Sequence, residues 1–179
     1  MDSDISRILI HRDQISARVR AMAGEISACY HGPQTRLTLA PILSGSLIFL
    51  ADLIRELPLK MKLSLLHVST YAGATTTPGQ PRVIVAPTGE IAGRDVLVID
   101  DILDTGRTLA RVQTMIRDMH PASVRTAVLL RKPGKASGVE ADFVGFDIDD
   151  EFVVGYGLDY GDLYRNYPHI ALLRPELIR

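Results

Sequence analysis

The sequence has 179 residues, enough for one domain and too few for two full-sized ones. Apolar residues make up 46% and charged residues 23%, a mixture that excludes wholesale disorder. The 20 lysines and arginines against 21 aspartates and glutamates give a formal charge of −1. This balance gives no sign of a basic nucleic-acid-binding arm or of an acidic tail, so we expect no nucleic-acid partner.

Cysteine usage and hydropathy predict the compartment. The single cysteine, Cys29, cannot form an intrachain disulfide, which is typical of proteins in a reducing compartment. We find no apolar run of the ~18 residues that a membrane-spanning helix needs. The opening residues MDSDISRI lack the basic and apolar regions of a signal peptide. We therefore expect a cytoplasmic protein without a membrane partner.

The first half of the chain alternates between helical and strand patterns. Apolar residues recur in steps of four and three from Ile15 to Cys29, which predicts a helix of about four turns that ends at His31-Gly32-Pro33. Residues 36–43 are typical of a buried strand, residues 47–57 of a second helix, and residues 62–68 of another strand. The buried side of the second helix is predicted to carry Leu47, Leu50, Ile54 and Leu57.

The second half begins with a stretch that has no periodicity. Residues 69–81 are rich in Ala, Gly, Thr and Pro, and we interpret them as a long mobile loop of the kind that usually serves function. Further strands are expected at residues 82–86, 96–99 and 124–130. A helix with Leu109, Val112, Ile116 and Met119 inward precedes the last of these. Alternating strands and helices predict an α/β domain over residues 1–179, whose central, mostly parallel sheet is flanked by helices.

The segment VLVIDDILDTGRTL, residues 96–109, carries the sharpest functional signal. A buried strand is followed by Asp100-Asp101, then by Asp104 and a Thr-Gly-Arg-Thr turn that leads into a helix. In open α/β sheets, ligands bind at the carboxyl ends of the strands. Amides at a helix N-terminus suit an anion, and adjacent carboxylates suit vicinal hydroxyls, so the segment fits a phosphorylated sugar. The structural alternative is a pair of solvated strand-end aspartates with Asp104 as a helix cap.

This segment resembles the phosphoribosyl-pyrophosphate (PRPP) motif of the type I phosphoribosyltransferases. Other stretches resemble the purine branch, the hypoxanthine/guanine phosphoribosyltransferases, and the resemblance extends from about residue 41 to residue 173. These stretches are ILSGSLIFLADL (42–53), Ser69-Thr70-Tyr71, LLRK (129–132) and DFVGFDIDDEFVVGYGLDYGDLYRN (142–166). The resemblance implies a type I phosphoribosyltransferase fold, in which residues 132–179 contribute much of a small base-binding cap.

The resemblance also implies a role for each matching residue. Asp104 corresponds to the general base at purine N7, and Mg²⁺ is the implied cofactor. The ribose and its 5′-phosphate are bound by Asp100, Asp101, Thr105, Gly106, Arg107 and Thr108. Pyrophosphate is bound by Ser44, Gly45 and Arg165, the base by Lys132, Phe152 and Val153, and the metal by Asp159 with Asp100 and Asp101. Ser69 and Tyr71 belong to the mobile loop that closes over the site.

The implied activity is purine salvage, in which the phosphoribosyl group of PRPP moves to N9 of hypoxanthine or guanine and pyrophosphate leaves. The alternative is a regulator on the same fold that senses PRPP or a nucleotide without catalysis. The resemblance implies a homodimer or homotetramer, and it leaves hypoxanthine, guanine and xanthine unranked. One position departs from the family: the first loop reads Leu43-Ser44-Gly45, where a basic residue usually stands in place of the serine.

Overall fold

The structure is a computed structural model that describes residues 1–32, 35–69 and 82–178. In chain order its elements are β1 (Ile5–Ile10), α1 (Arg12–Cys29), β2 (Leu37–Leu43), α2 (Leu47–Glu56), β3 (Met61–Leu63), β4 (Leu66–Ser69), β5 (Arg82–Val85), β6 (Asp95–Leu103), α3 (Arg107–Arg117), β7 (Ser123–Arg131), β8 (Phe143–Asp147), β9 (Val153–Val154) and β10 (Ile170–Leu173). Short 3₁₀ turns at Asp2–Asp4 and Pro175–Leu177 lie near the two ends. No helix within these described ranges is long and apolar enough to cross a membrane.

The described strands form one large and one small sheet. The large sheet has the order β5-β4-β2-β6-β7-β8, with β3 pairing β2 beside β4. Its pairings are parallel except for the antiparallel pair of β4 and β5. The small antiparallel sheet has the order β1-β10-β9. The predicted α/β fold with a mostly parallel central sheet is therefore confirmed.

Alternate residues of the central strands face two separate apolar layers. Leu97 and Ile99 of β6 pack with α1 and α2, whereas Val96 and Val98 pack with α3. Since both faces of β6 are covered, its apolar residues form a continuous run instead of alternating with polar ones. The expected helix from Ile15 to Cys29 is confirmed, although α1 begins three residues earlier, at Arg12.

The buried face of α2 differs in part from the expected one, since Leu50 and Leu57 are buried as predicted. Leu47 is 51% exposed, whereas Phe49 and Leu53 are fully buried. Phe49 and Leu53 lie one helical turn apart and belong to the same apolar cluster as α1 residues such as Ile15. Packing against α1 therefore rotates the core face away from the side that carries Leu47.

The extent or placement of several strands also differs from the predictions. Strand β6 continues through both aspartates to Leu103, because Asp100 and Ile102 pair with β7. The expected strand 62–68 is divided into β3 and β4 at Ser64, whose amide donates to the Leu39 carbonyl. Strand β8, expected in a cap, instead joins the central sheet beside β7.

The smaller sheet joins the two ends of the chain. Strand β1, which the sequence did not reveal, pairs with β10 through two register shifts that interrupt the usual alternation. Strand β10 also pairs with β9, so β1 and β9 lie on either side of β10 in this sheet. The small sheet therefore combines N-terminal and C-terminal residues.

Candidate active site

A cleft of about 710 Å³ lies at the carboxyl ends of the central strands. Its walls are the loop after β2, the end of β4, the end of β6, the loop into α3, and residues 159–165. Parallel strands place their carboxyl ends at one edge of a sheet, which is where open α/β sheets bind ligands. The cleft contains residues 100–108 of the predicted PRPP segment, together with Ser44, Gly45, Asp159 and Arg165.

Asp100 and Asp101 line the cleft near the end of β6. Asp100 is buried, and its Oδ1 accepts a hydrogen bond from the Asp101 amide at 3.1 Å. Burial and the adjacent negative charge of Asp101 raise the pKa of Asp100 well above its ordinary value. Asp101 is half-buried, and its Oδ1 accepts from the Ile102 amide at 2.9 Å. The two neighbours therefore have different environments, and Asp101 is the more accessible carboxylate.

Gly45 allows its loop to pack directly onto Asp101, and Gly157 allows a second segment to pack onto that loop. A Cβ atom on Gly45 would stand 1.9 Å from Oδ2 of Asp101. A Cβ atom on Gly157, whose φ is +105°, would stand 2.2 Å from the Gly45 carbonyl oxygen. Only residues without a side chain fit this stack, in which the Gly45 loop lies between Asp101 and the segment around Gly157. The peptide bond that precedes this loop, between Leu43 and Ser44, is cis.

The loop from Thr105 to Thr108 presents a helix N-terminus to the cleft. Gly106 has a φ of +78° and immediately precedes α3, which begins at Arg107. The first amides of a helix have no acceptor within the helix, so they are available to an anion that enters the cleft. Thr105 and Arg107 are exposed, and Thr108 is half-buried. This environment suits a phosphate group.

Arg165 is held by acidic and carbonyl oxygens on the other side of the cleft. It donates to the Gly157 carbonyl at 2.8 Å and pairs with Asp159 and Asp162, each at 2.8 Å. The second oxygen of Asp159 accepts from the Asp162 amide at 2.8 Å. Arg165 is thus fixed beside Asp101 and Gly157, close to where the Gly45 loop enters the cleft.

Asp104 and Lys132 meet in an ionic cluster that sequence patterns did not indicate. Lys132 is buried, with Nζ 2.9 Å from an Asp150 oxygen and 3.6 Å from Oδ2 of Asp104. Lys135 lies 2.8 Å from Oδ1 of Asp104 and 2.5 Å from the same Asp150 oxygen. The two lysines hold the pKa of Asp150 down at about 2. The only sequence signal for Lys135 was its spacing of three residues from Lys132.

The remaining base-binding candidates lie outside the walls of this cleft. Lys132 lines a neighbouring cavity of about 750 Å³ between β1, the residues after β7 and the residues after β8. Val153 is buried in β9, and Phe152 is 46% exposed. The Phe152 ring packs edge-on against Tyr160, with 5.6 Å between the centroids. Phe152 thus contacts Tyr160 while nearly half of its surface stays exposed.

The carboxylates of the cleft fit a divalent cation only with help from a substrate. Among the described residues, five aspartates and two arginines line the cleft, so it is acidic although its expected substrate is an anion. No group of three or more His, Cys, Asp or Glu side chains within the described ranges is arranged to hold a metal by itself. Asp159, Asp100 and Asp101 are thus not brought together as one ligand set. Mg²⁺ commonly combines one or two carboxylates with substrate phosphates, and these residues fit that pattern.

The two residues expected in the closing loop lie at or beyond the edge of the described chain. Ser69 is the last residue of β4, and the structure does not describe its side chain. Tyr71 lies outside the described residues. Their expected role in covering the site therefore stays a prediction.

Comparisons with known proteins agree on the class. The profile described as "Phosphoribosyl transferase domain" matches residues 9–161. The hypoxanthine-guanine phosphoribosyltransferase of Bacillus subtilis is 38% identical over 179 residues, which covers 99% of this chain and 98% of the relative. The chain therefore belongs to the phosphoribosyltransferase family.

Several similar proteins belong to one branch of that family. A crystal structure of hypoxanthine phosphoribosyltransferase from Staphylococcus aureus superimposes with a TM-score of 0.92 at 36% identity, covering 100% of this chain and 97% of that one. A bifunctional TilS/HprT protein of Listeria innocua is 38% identical over 178 residues, and the chain spans 27% of its length. The resemblance to the hypoxanthine/guanine phosphoribosyltransferases is thereby confirmed.

Proposed function

We propose that this chain is a purine-salvage enzyme that transfers the phosphoribosyl group of PRPP to N9 of hypoxanthine or guanine. The observation that carries the proposal is the convergence of the Asp100–Thr108 segment, the Gly45 loop and Arg165 on one cleft. The confirmed family makes this reaction the expected one. The products are IMP or GMP and pyrophosphate.

The sugar and its phosphate are bound along β6 and the start of α3. Asp101, as the more accessible carboxylate, accepts hydrogen bonds from the ribose hydroxyls, with Asp100 behind it. The 5′-phosphate is bound by the amides of Thr105, Gly106, Arg107 and Thr108 at the α3 N-terminus. Arg107 and the threonine hydroxyls add donors to the same phosphate.

Pyrophosphate lies between the Gly45 loop and Arg165. The backbone of Ser44 and Gly45 offers donors, while Arg165 supplies positive charge. Asp159 would hold Mg²⁺ together with substrate oxygens, and the metal would supply positive charge that offsets the charge of the leaving pyrophosphate. The acidic lining of the cleft supports this requirement for a cation, because five aspartates alone would repel PRPP.

The base is recognised by Lys132, Phe152 and Val153. Lys132 donates to the 6-oxo group, the exposed Phe152 ring stacks on the base, and the Val153 backbone contacts the edge of the base. As the C1–pyrophosphate bond breaks and the C1–N9 bond forms, the N7 proton moves to Asp104. Oδ2 of Asp104 takes this proton, since Oδ1 is shielded from solvent beside Lys135.

Initial rates with hypoxanthine, guanine and xanthine at fixed PRPP and Mg²⁺ test this proposal. We expect nucleotide formation with at least one oxopurine and its loss in EDTA. Binding of PRPP by calorimetry without turnover of any oxopurine would instead support the sensor on the same fold. Light scattering tests the accompanying proposal of a homodimer or homotetramer. Leu47 and Ile48, which are exposed beside the Ser44 loop, offer apolar surface for such an interface.

A further inference from the structure

Two lysines and two aspartates form a closed ionic cluster at the base side of the site. Asp150 accepts from Lys132 at 2.9 Å and from Lys135 at 2.5 Å through the same oxygen, Oδ1. Asp104 completes the cluster, with Oδ1 2.8 Å from Lys135 and Oδ2 3.6 Å from Lys132. Each lysine therefore contacts both aspartates, and base recognition and proton transfer share one set of charges.

The two oxygens of Asp104 are not equivalent in this cluster. Oδ1 has no exposed surface, and its cationic neighbour is Lys135. A buried carboxylate oxygen is costly unless a charge or a donor compensates it, and Lys135 supplies that charge. Lys132 is too far from Oδ2 for a good hydrogen bond, so Oδ2 is available to accept a hydrogen bond from a bound purine.

Lys135 is in turn anchored by its second partner. Its ammonium group sits between Asp104 and Asp150, and both contacts raise its pKa. An ammonium group with two carboxylate neighbours has little freedom to leave either one. The side chain retains 32% of its exposure, so the anchoring comes from these contacts and not from deep burial.

We propose that Lys135 is a positioning residue that holds Asp104 through Oδ1, so that Oδ2 is oriented toward N7 of the bound purine. Asp150 assists by holding Lys132 and Lys135 together, which fixes the 6-oxo donor relative to the proton acceptor. This inference rests on the proposed function, since it assigns Lys135 to the reaction of that same site. Lys135 touches neither the sugar nor pyrophosphate, because it does not line the PRPP cleft.

Steady-state kinetics of Lys135→Gln, Lys135→Arg and the matched control Lys62→Gln test the inference. Lys62 also forms an ion pair, with Glu90 at 2.8 Å, but it lies on β3 outside both cavities. We expect Lys135→Gln to lower kcat about tenfold, the effect of losing one charge-assisted contact, with the KM for PRPP within about twofold. Lys135→Arg should recover most of kcat, and Lys62→Gln should match the wild type.

A double-mutant cycle with Asp104→Asn separates positioning from a general structural role. If Lys135 acts through Asp104, Lys135→Gln should lower kcat by less than about twofold in the Asp104→Asn background. A loss of about tenfold in both backgrounds, or a parallel rise in the KM for PRPP, would overturn the inference while leaving the proposed function standing. An absence of wild-type turnover would overturn the proposed function, and this inference with it.

Discussion

The contact between Gly45 and Asp101 makes Gly45→Ala a sharp perturbation of the proposed sugar site. The added methyl carbon would stand 1.9 Å from Oδ2, 2.6 Å from Cγ and 3.1 Å from Oδ1 of Asp101. Separations below 3.0 Å are not tolerated by a Cβ atom, and the carboxylate is the part that can move. It must retreat by about 1 Å, which breaks the 2.9 Å hydrogen bond from the Ile102 amide.

Displacement of a binding group by about 1 Å is enough to cost ~10²-fold in rate. We therefore expect kcat/KM for PRPP to fall by ~10²-fold in Gly45→Ala. The free energy of unfolding should fall by only about 1 kcal/mol, the usual contribution of one hydrogen bond. The loss of activity should thus greatly exceed the loss of stability.

Kinetics at varied PRPP and urea unfolding measure these two effects, with Gly24→Ala as the matched control. Gly24 lies in α1, and apart from the backbone of that helix no atom lies within 4 Å of the position that an added methyl group would take. Gly24→Ala should keep full activity and gain about 0.5–1 kcal/mol, because alanine favours the helix. Unchanged kcat/KM in Gly45→Ala would refute the role of Asp101 in binding the ribose.

Three other perturbations test separate parts of the site. Lys132→Ala should raise the KM for hypoxanthine by about 10–100-fold, the loss of one charge-assisted hydrogen bond, with far less effect on PRPP affinity; equal losses would indicate another role. Ser44→Lys should tighten PRPP or stabilise the oligomer by ~1–3 kcal/mol, measured by calorimetry and light scattering, whereas abolished activity would show a different loop geometry. The pKa of Asp150 is lowered from 3.8 to about 2, so its ionised form stabilises the fold above pH 3.8, and that stability is lost as pH falls toward 2. The free energy of unfolding of the wild type should therefore exceed that of Asp150→Asn at pH 5–7, and the difference should disappear near pH 2. A difference that stays constant with pH would contradict the ion pairs.

Local patterns predicted the central elements because both faces of these strands are buried. The apolar run 96–99 indicated a strand of a parallel sheet, and the structure extends it to Leu103. Polar residues such as Asp100 resemble a strand end in the sequence, and only the pairing with β7 keeps them within β6. The antiparallel sheet formed by β1 was missed for a similar reason, since its pairing with β10 joins distant parts of the chain.

The contacts around the site depend on pairing between strands that are distant in the chain, and a single sequence does not reveal which strands pair. Asp150 reaches Lys132 because β8 pairs in parallel with β7, which brings residues 18 positions apart together. Gly45 meets Asp101 because β2 and β6 are neighbours in the sheet. The resemblance to a family supplied residue roles, whereas the packing that fixes those residues appeared only in three dimensions.

The most direct test of the central claim is the stoichiometry of the reaction in wild type and Asp104→Asn. With hypoxanthine, PRPP and Mg²⁺, the wild type should form IMP and pyrophosphate in equal amounts. Asp104→Asn keeps the size of the side chain but removes the proposed proton acceptor, so kcat should fall by ~10²–10⁴-fold while calorimetry shows PRPP binding largely retained. Pyrophosphate released without IMP, or a single-turnover rate unchanged in Asp104→Asn, would contradict the account.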